Sequence, residues 1–253
     1  MEGRVPFSGR VRAHALKSAR RLVVKLGTGV LTDSRNRPDL VQFAQLVAQL
    51  AALRASGHEV VLVTSGAVGA GMGVLGFDKR PPSLAERQAC AAVGQSRLMA
   101  TYEQLFRHFD QPVAQVLLTH EDLADHDRHL NARNTLLTLL RHGVLPIINE
   151  NDAVSVTELK FGDNDRLSAL VASLLPADLL VILTTADGLI EDFGRPTARR
   201  VDVVESIDER IESMAGGTTS ATATGGMATK IAAARIVVRS GIPMVIEIGR
   251  AHV

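Results

Sequence analysis

The stretch RLVVKLGTGVL, residues 21–31, decides the fold class of this chain. Leu22, Val23 and Val24 precede Lys25, and Gly27 then ends the apolar run. An apolar run of this length, closed by glycine, is typical of a parallel strand that is buried on both faces. Similar runs alternate with helix-length amphipathic segments from residue 20 onward, and no internal repeat is present. This alternation predicts an α/β fold with a mainly parallel open sheet and crossover helices.

The apolar runs define six predicted strands, and caps and breakers between them define helices. The strands are residues 21–26, 59–64, 112–118, 144–149, 178–184 and 243–248. The predicted helices are residues 38–56, 83–109, 127–141, 164–175 and 227–240, with Ser83 and Glu86 as a capping box and Gly241 as a stop. Weak alternation of apolar and polar residues over 153–160 predicts a hairpin arm that projects from the sheet. Residues 186–225 are expected to be the least regular part.

Composition excludes several classes of function. The 253 residues are 46% hydrophobic but only 3% aromatic, with no Trp, so a stacking platform for single-stranded nucleic acid is not expected. Net charge is +1, although residues 1–21 alone carry six basic side chains against Glu2. No apolar stretch is long enough to span a bilayer, and Cys90 is the only cysteine. We expect a soluble, cytoplasmic protein that binds neither nucleic acid nor membrane.

Two lysines lie in glycine-rich stretches at opposite ends of the sequence. Lys25 lies in VVKLGTGVL and Lys230 in TGGMATK. Glycines allow backbone N–H groups to approach a phosphate, and an ammonium group supplies a positive charge beside it. A lysine at a helix N-terminus opposes the helix dipole, which favours a bound anion near Lys230. Together the two stretches predict one polyphosphate that is held from both ends.

Polar residues follow several predicted strands at their carboxyl ends, where open parallel sheets bind ligands. The segments are Thr64-Ser65-Gly66, Asn149-Glu150-Asn151-Asp152 and Gly162-Asp163-Asn164-Asp165. The glycine turns suit phosphate, and the Asn and Asp cluster suits an amine or a metal. Taken alone, the last segment is explained equally well as a capped helix start.

These features favour phosphoryl transfer to a carboxylate. Neither the P-loop pattern nor the protein-kinase signatures occur in the chain. None of the eight histidines lies in a glycine-rich or acidic-amide motif, so no obvious base exists. A carboxylate acceptor is already ionised at neutral pH and needs none. The GxGxxG match at residues 71–76 is better explained by close helix packing than by a dinucleotide site.

Seven motifs, in order, carry a resemblance to the amino acid kinase family over residues 20–250: VVKLGTGVL, VTSGAVGAG, AAVGQSRL, LNARNT, PIINENDAV, GDNDRLSAL and TGGMATK. The resemblance implies a three-layer αβα sandwich around an approximately eight-stranded, mainly parallel sheet. NENDAV, GDND and TGGMATK look most like members that transfer the γ-phosphate of ATP to the side-chain carboxylate of L-glutamate. That reaction gives L-glutamyl 5-phosphate, the first step of proline synthesis. Mg²⁺ is implied as well, with Asp163 as a candidate contact and no assigned protein ligand.

The resemblance also assigns roles to individual residues. The implied catalytic residues are Lys25, Lys230 and Asp165. The implied glutamate-binding residues are Ser65, Asn149, Asp152 and Asn164. The implied ATP-binding residues are Gly27, Gly66, Thr184, Thr185, Thr224, Gly225, Gly226, Met227, Ala228, Thr229 and Lys230.

The resemblance further implies a domain organisation and partners. Residues 1–19 would be a basic extension, and residues 20–253 a kinase domain without its last strand or a C-terminal PUA domain. Proline is implied as a feedback inhibitor near residues 131–134, and a homodimer or homotetramer is implied, with the helix from Ser83 as candidate surface. Two alternatives stay open. One is a sibling activity on acetylglutamate or UMP, and the other is a noncatalytic sensor of nucleotide or amino acid.

Overall fold

The computed structural model describes residues 14–33, 37–155, 163–215 and 226–249. Its centre is a six-stranded sheet in the order β3-β4-β2-β1-β5-β8, in which every neighbouring pair is parallel. A separate antiparallel pair is formed by β6 and β7. The strands are β1 Arg21–Leu26, β2 Glu59–Val63, β3 Val113–Leu118, β4 Leu145–Glu150, β5 Leu179–Thr184, β6 Leu189–Glu191, β7 Arg199–Val201 and β8 Met244–Ile248.

The predicted α/β class and parallel sheet are confirmed, and the six predicted strands agree with the observed ones to within a residue at each end. In the described residues the central sheet has six strands, whereas the resemblance implied approximately eight. β6 and β7 lie in the part predicted to be least regular. Of the expected hairpin arm, residues 152–154 form a turn after β4, and residues 156–160 lie outside the described part.

Helices cover both faces of the sheet. They are α1 Thr28–Leu31, α2 Leu40–Ala55, α3 Ala67–Leu75, α4 Leu84–Arg107, α5 His120–Ala124, α6 His126–Arg141, α7 Asp163–Leu174, α8 Glu209–Ala215 and α9 Met227–Arg239. Ser83 caps α4 by accepting the backbone N–H of Glu86, whose carboxylate accepts the Ser83 hydroxyl. The cap is therefore present, although the carboxylate bonds the hydroxyl and not the backbone N–H of a full capping box. None of the helices in the described residues is both long and apolar enough to cross a membrane.

The alternation of side chains along each strand divides the core into two apolar layers. Leu22 and Val24 of β1 pack with α2 and α4, whereas Val23 packs on the opposite face with α6, α7 and α9. Residues two apart on a strand share a face. Lys25 therefore points to the same side as Val23, toward α7 and α9, which places its ammonium group beside their first turns. This arrangement confirms the three-layer sandwich.

Helices α3 and α4 pack at very close range. A Cβ atom at Gly71 would overlap the backbone of Cys90, and one at Gly94 would overlap the carbonyl oxygen of Ala67. Gly76 ends α3 in the left-handed region at φ +74°. Gly71 thus serves close helix packing, as predicted for this stretch, whereas Gly76 ends the helix, which was not predicted.

Candidate active site

A single buried carboxylate joins the two glycine-flanked lysines. The Nζ atom of Lys25 lies 2.7 Å from Oδ1 of Asp165, and that of Lys230 lies 3.2 Å from Oδ2. Thr229 Oγ1 donates to the same Oδ2 at 2.7 Å. All three charged side chains are buried, with Asp165 completely inaccessible. Strand β1 and the N-terminal turns of α7 and α9 therefore converge on one point at the carboxyl edge of the sheet.

The electrostatics of this triad follow from burial and opposite charge. Burial alone would raise the pKa of Asp165, but the charges of Lys25 and Lys230 and the hydrogen bonds hold that pKa below its usual range. Burial lowers the pKa of Lys25, and the Asp165 carboxylate opposes that shift. Two ammonium groups around one carboxylate leave a net positive charge in a region shielded from water. Such a region attracts an anion.

Asn164, the residue before Asp165, connects the carboxyl ends of two strands, β2 and β4. Its Nδ2 atom donates to the carbonyl oxygen of Thr64 at 2.7 Å, to Ser65 Oγ at 3.0 Å and to Asn149 Oδ1 at 2.9 Å. Thr64 is fixed in turn by a 2.8 Å hydrogen bond between its hydroxyl and that of Tyr102. The segments that follow β2 and β4 and the start of α7 thus form one polar cluster.

Two glutamines that the sequence did not assign extend this cluster. Asn149 Nδ2 donates to Gln95 Oε1 at 2.8 Å, and Gln95 Nε2 donates to Gln115 Oε1 at 2.9 Å. The motif AAVGQSRL contains Gln95, but a glutamine in a helix has no distinctive spacing that would mark it as part of a site. Its involvement appears only when α4 packs against the ends of β3 and β4.

A cavity of about 240 Å³ adjoins the polar cluster on the α4 side. Its polar lining includes Gln95, Gln115, Glu150 and Asp152. The Asp152 turn is held against α4 by Gln88 Nε2, which donates to the carbonyl oxygen of Ser155 at 3.1 Å. A larger cavity of about 300 Å³ runs along β8 and α9 and is lined by none of the predicted site residues. The smaller cavity is the better candidate for a substrate because it is lined by the predicted residue Asp152 and by Gln95, which is bonded to the polar cluster through Asn149.

Two of the predicted nucleotide residues, Gly27 and Gly66, lie in the turns that follow β1 and β2. Gly66 precedes α3 with φ +100°, a conformation that favours glycine, and faces Thr28 of α1. Gly27 donates its backbone N–H to the carbonyl oxygen of Leu183 at 3.1 Å, so this N–H is engaged within the sheet edge. Gly27 lies beside the Lys25 ammonium group, since a Cβ atom built on it would be 3.6 Å from Lys25 Nζ, an ordinary contact distance.

Further predicted nucleotide residues lie at the end of β5 and the start of α9. Thr184 is buried at the end of β5, whereas Thr185 is exposed and lies against Gly29, where an added Cβ atom would come within 3.1 Å of the Thr185 methyl group. Gly226 is the N-cap of α9, followed by Met227, Ala228 and Thr229. The predicted residues Thr224 and Gly225 lie outside the described part of the chain.

The described segments offer no preformed metal cage. Within them, no group of three or more His, Cys, Asp or Glu side chains is placed to hold a metal ion. Both carboxylate oxygens of Asp165 already contact ammonium or hydroxyl groups. Asp163 begins α7, but its side chain is not among those described. This donor set fits a Mg²⁺ ion that is bound mainly through phosphate oxygens, as Mg²⁺ commonly is.

The family model of the amino acid kinases, described as "Amino acid kinase family", matches residues 20–247. The chain belongs to the amino acid kinase family. Among similar members is the glutamate 5-kinase of Geobacter sulfurreducens, 51% identical over 242 residues, which cover 95% of this chain and 65% of that protein. The glutamate 5-kinase of Herpetosiphon aurantiacus is 55% identical over 231 residues, which cover 90% of this chain and 62% of that protein. The chain thus spans less than two thirds of the length of these relatives.

A solved structure supports the fold of this family member independently. Carbamate kinase from Giardia lamblia bound to AMP-PNP superimposes with a TM-score of 0.64, covering 92% of this chain and 94% of that one. Sequence identity is 16%, so the likeness concerns the fold. The architecture predicted from alternating strands and helices is therefore that of an amino acid kinase.

Proposed function

We propose that this chain is a glutamate 5-kinase, which transfers the γ-phosphate of ATP to the side-chain carboxylate of L-glutamate. The single observation that carries the proposal is the contact of Lys25 and Lys230 with opposite oxygens of Asp165. It puts two cations at one point, and Asn164, the residue before Asp165, connects that point to the polar cluster with Ser65 and Asn149. The two glutamate 5-kinase relatives support the choice of substrate.

In this mechanism the lysines act on charge that moves between oxygens. Lys25 on β1 and Lys230 on α9 approach the transferring phosphoryl group from different elements and stabilise its negative charge. Asp165 holds both ammonium groups before substrates bind, so little reorganisation is needed during the reaction. The acceptor carboxylate is ionised at neutral pH and attacks without a general base. The site therefore works by positioning and electrostatics alone.

Polar groups at the strand ends would orient glutamate. Ser65 Oγ accepts a hydrogen bond from Asn164, so its own hydroxyl hydrogen is directed elsewhere and suits a carboxylate oxygen. Asp152 lines the adjoining cavity and suits the α-ammonium group of an amino acid. The cavity volume of about 240 Å³ is compatible with a small amino acid. Asn149 and Asn164 would hold the substrate between these two groups.

ATP would bind across the glycine turns and the start of α9. The triphosphate would run from Gly66 and the α1 turn toward the N-terminal turn of α9, where backbone N–H groups favour an anion. Thr184 and Thr185 at the end of β5 and residues 226–230 at the start of α9 would line that path. Mg²⁺ would shield the charge of the phosphate oxygens when bound. Proline feedback inhibition, a homo-oligomeric state and a cytoplasmic location stay predictions.

An ADP-release assay with a panel of acceptors tests this proposal. The purified chain is incubated with MgATP and with L-glutamate, N-acetyl-L-glutamate, L-aspartate, carbamate or UMP. We expect turnover with L-glutamate, trapped as a hydroxamate when hydroxylamine is present, because an acyl phosphate reacts with that nucleophile. Preferred turnover of another acceptor would assign a sibling activity. Binding of ATP and glutamate without turnover would favour a sensor.

A further inference from the structure

Four side-chain amides form a continuous chain of hydrogen bonds, the relay, from Gln115 on β3 to Asn164, the residue before Asp165. Its hydrogen bonds run from Gln95 Nε2 to Gln115 Oε1 at 2.9 Å, from Asn149 Nδ2 to Gln95 Oε1 at 2.8 Å and from Asn164 Nδ2 to Asn149 Oδ1 at 2.9 Å. Asn149 and Gln95 are buried, whereas Gln115 is exposed on its strand. The two middle amides, Gln95 and Asn149, each donate through the NH₂ group to one neighbour and accept through the oxygen from the other.

This relay has a direction. An amide can accept through its oxygen and donate through its NH₂ group, and the two ends are not interchangeable. Because Gln95 offers its oxygen to Asn149, Asn149 must present its own oxygen to Asn164. Asn164 then uses its NH₂ group for Asn149, Thr64 and Ser65. All the hydrogen bonds that the described residues give to the Asn164 amide use its Nδ2 atom, and its Oδ1 atom can accept from a further donor.

The sheet and helix geometry explain why Gln95 occupies this position. Asn149 lies two residues after Ile147, which belongs to the apolar layer under α2 and α4, so its side chain faces α4. The absence of a Cβ atom at Gly94 allows α4 to approach Ala67 at the start of α3. Gln95, the next residue, is thereby brought to the end of β4 and lines the cavity.

We propose that Gln95 is a positioning residue for substrate binding: through Asn149 it fixes the Asn164 amide with its oxygen toward the substrate. The inference rests on the proposed function and adds to it a specificity for a zwitterion. A carbonyl oxygen at Asn164 accepts from an α-ammonium group, and the Ser65 hydroxyl donates to a carboxylate. Reversal of the Asn164 amide would place its oxygen against the carbonyl oxygen of Thr64 and its NH₂ group toward the ammonium group, and both contacts are repulsive. Gln95 itself need not touch the substrate.

The test compares variants of the full 253-residue chain with the wild type. Gln95→Met keeps the side-chain volume but removes both hydrogen bonds. We expect its KM and calorimetric Kd for L-glutamate to rise about tenfold, with kcat and the KM for ATP within about twofold of wild type, as expected for loss of an interaction used in binding. Gln95→Glu still offers an oxygen to Asn149, and we expect it to restore glutamate affinity to within about threefold.

Two further variants keep the inference falsifiable if Gln95→Met folds poorly. Gln115→Met alters an exposed end of the relay and should raise the glutamate KM about threefold. Gln104→Met, on an exposed part of the same helix, is the matched control and should leave all constants unchanged. A normal glutamate Kd in both Gln95→Met and Gln115→Met, or equal losses for ATP and glutamate, would overturn the relay. A wild-type chain that does not bind glutamate would instead overturn the proposed function, and this inference with it.

Discussion

The ammonium group of Lys25 lies 2.7 Å from the carboxylate of Asp165, and both side chains are buried. A buried ion pair is costly to break, because the remaining partner keeps its charge without compensation. Here the cost is larger in principle, since Asp165 also faces Lys230. Substitution of either partner should therefore change both the stability of the domain and the charge at the candidate active site.

We predict that Asp165→Asn lowers the free energy of unfolding by about 3–5 kcal/mol, because two buried lysines lose their counter-charge. Urea denaturation of both proteins measures this difference. The matched control is Asp187→Asn, which removes an exposed carboxylate paired with Arg200 and should cost less than about 1 kcal/mol. Equal losses of unfolding free energy in the two variants would show that the buried ion pair stabilises the domain no more than the exposed one.

The same comparison has a predicted pH dependence. The pKa of Asp165 is lower in the folded state than its unfolded value of about 3.9. Its contribution to stability is therefore fully present above that value and is lost as pH falls through the lower, folded pKa. The stability gap between wild type and Asp165→Asn should stay constant from pH 7 to 5 and shrink below about pH 4. A gap that is unchanged down to pH 2.5 would contradict the assignment.

We predict that activity decreases at alkaline pH as Lys25 loses its proton. Burial lowers its pKa, so the charge that stabilises phosphate is lost at a lower pH than for an exposed lysine, about 10.4. The ratio kcat/KM for ATP reports the titration of groups in the free enzyme. We expect this ratio to fall with increasing pH, and the fall should begin below the ordinary lysine pKa of about 10.4. Lys25→Met should abolish this fall while lowering the plateau. If the profile of the wild-type chain is flat up to pH 10, Lys25 is not the group that limits ATP use.

The close packing of α3 on α4 predicts a sharp contrast between two glycines. Gly94→Ala places a methyl group against the backbone of Ala67 and should destabilise the domain by about 2–4 kcal/mol. Gly73→Ala, on α3 where a Cβ atom meets open space, should be neutral or stabilising by up to about 1 kcal/mol. Thermal denaturation of the two variants measures the contrast. Similar melting temperatures would mean that α3 and α4 can move apart without loss of stability.

Much of the fold could be read from the sequence because buried parallel strands are continuous apolar runs bounded by glycine or polar residues. β1, β2, β4 and β5 are of this kind, and their limits were predicted to within a residue. The short elements were missed: β6 and β7 have three residues each, and α8 lies in the same stretch. Such elements are too short for a periodic pattern, and their formation depends on contacts with the rest of the domain.

The candidate site was predictable only in part. Lys25, Lys230 and Asp165 lie in glycine-rich or acidic motifs, and the structure brings them to one point. Gln95 and Gln115 had no such signal, because their role depends on which helix packs against the ends of β3 and β4. Gly27 was expected near phosphate, yet its N–H bonds Leu183 within the sheet. Sequence motifs thus indicate which chemical groups a site contains, whereas the hydrogen-bond partners of those groups are known only from the folded structure.

The central claim is that Lys25 and Lys230 stabilise one transferring phosphoryl group. The most direct measurement is the single-turnover rate of L-glutamate phosphorylation in Lys230→Met, with saturating MgATP and glutamate. We predict a rate about 10²–10³ times lower than that of the wild type, with near-normal binding of both substrates, as for loss of one donor to the transition state. A rate within about threefold of wild type would contradict the account.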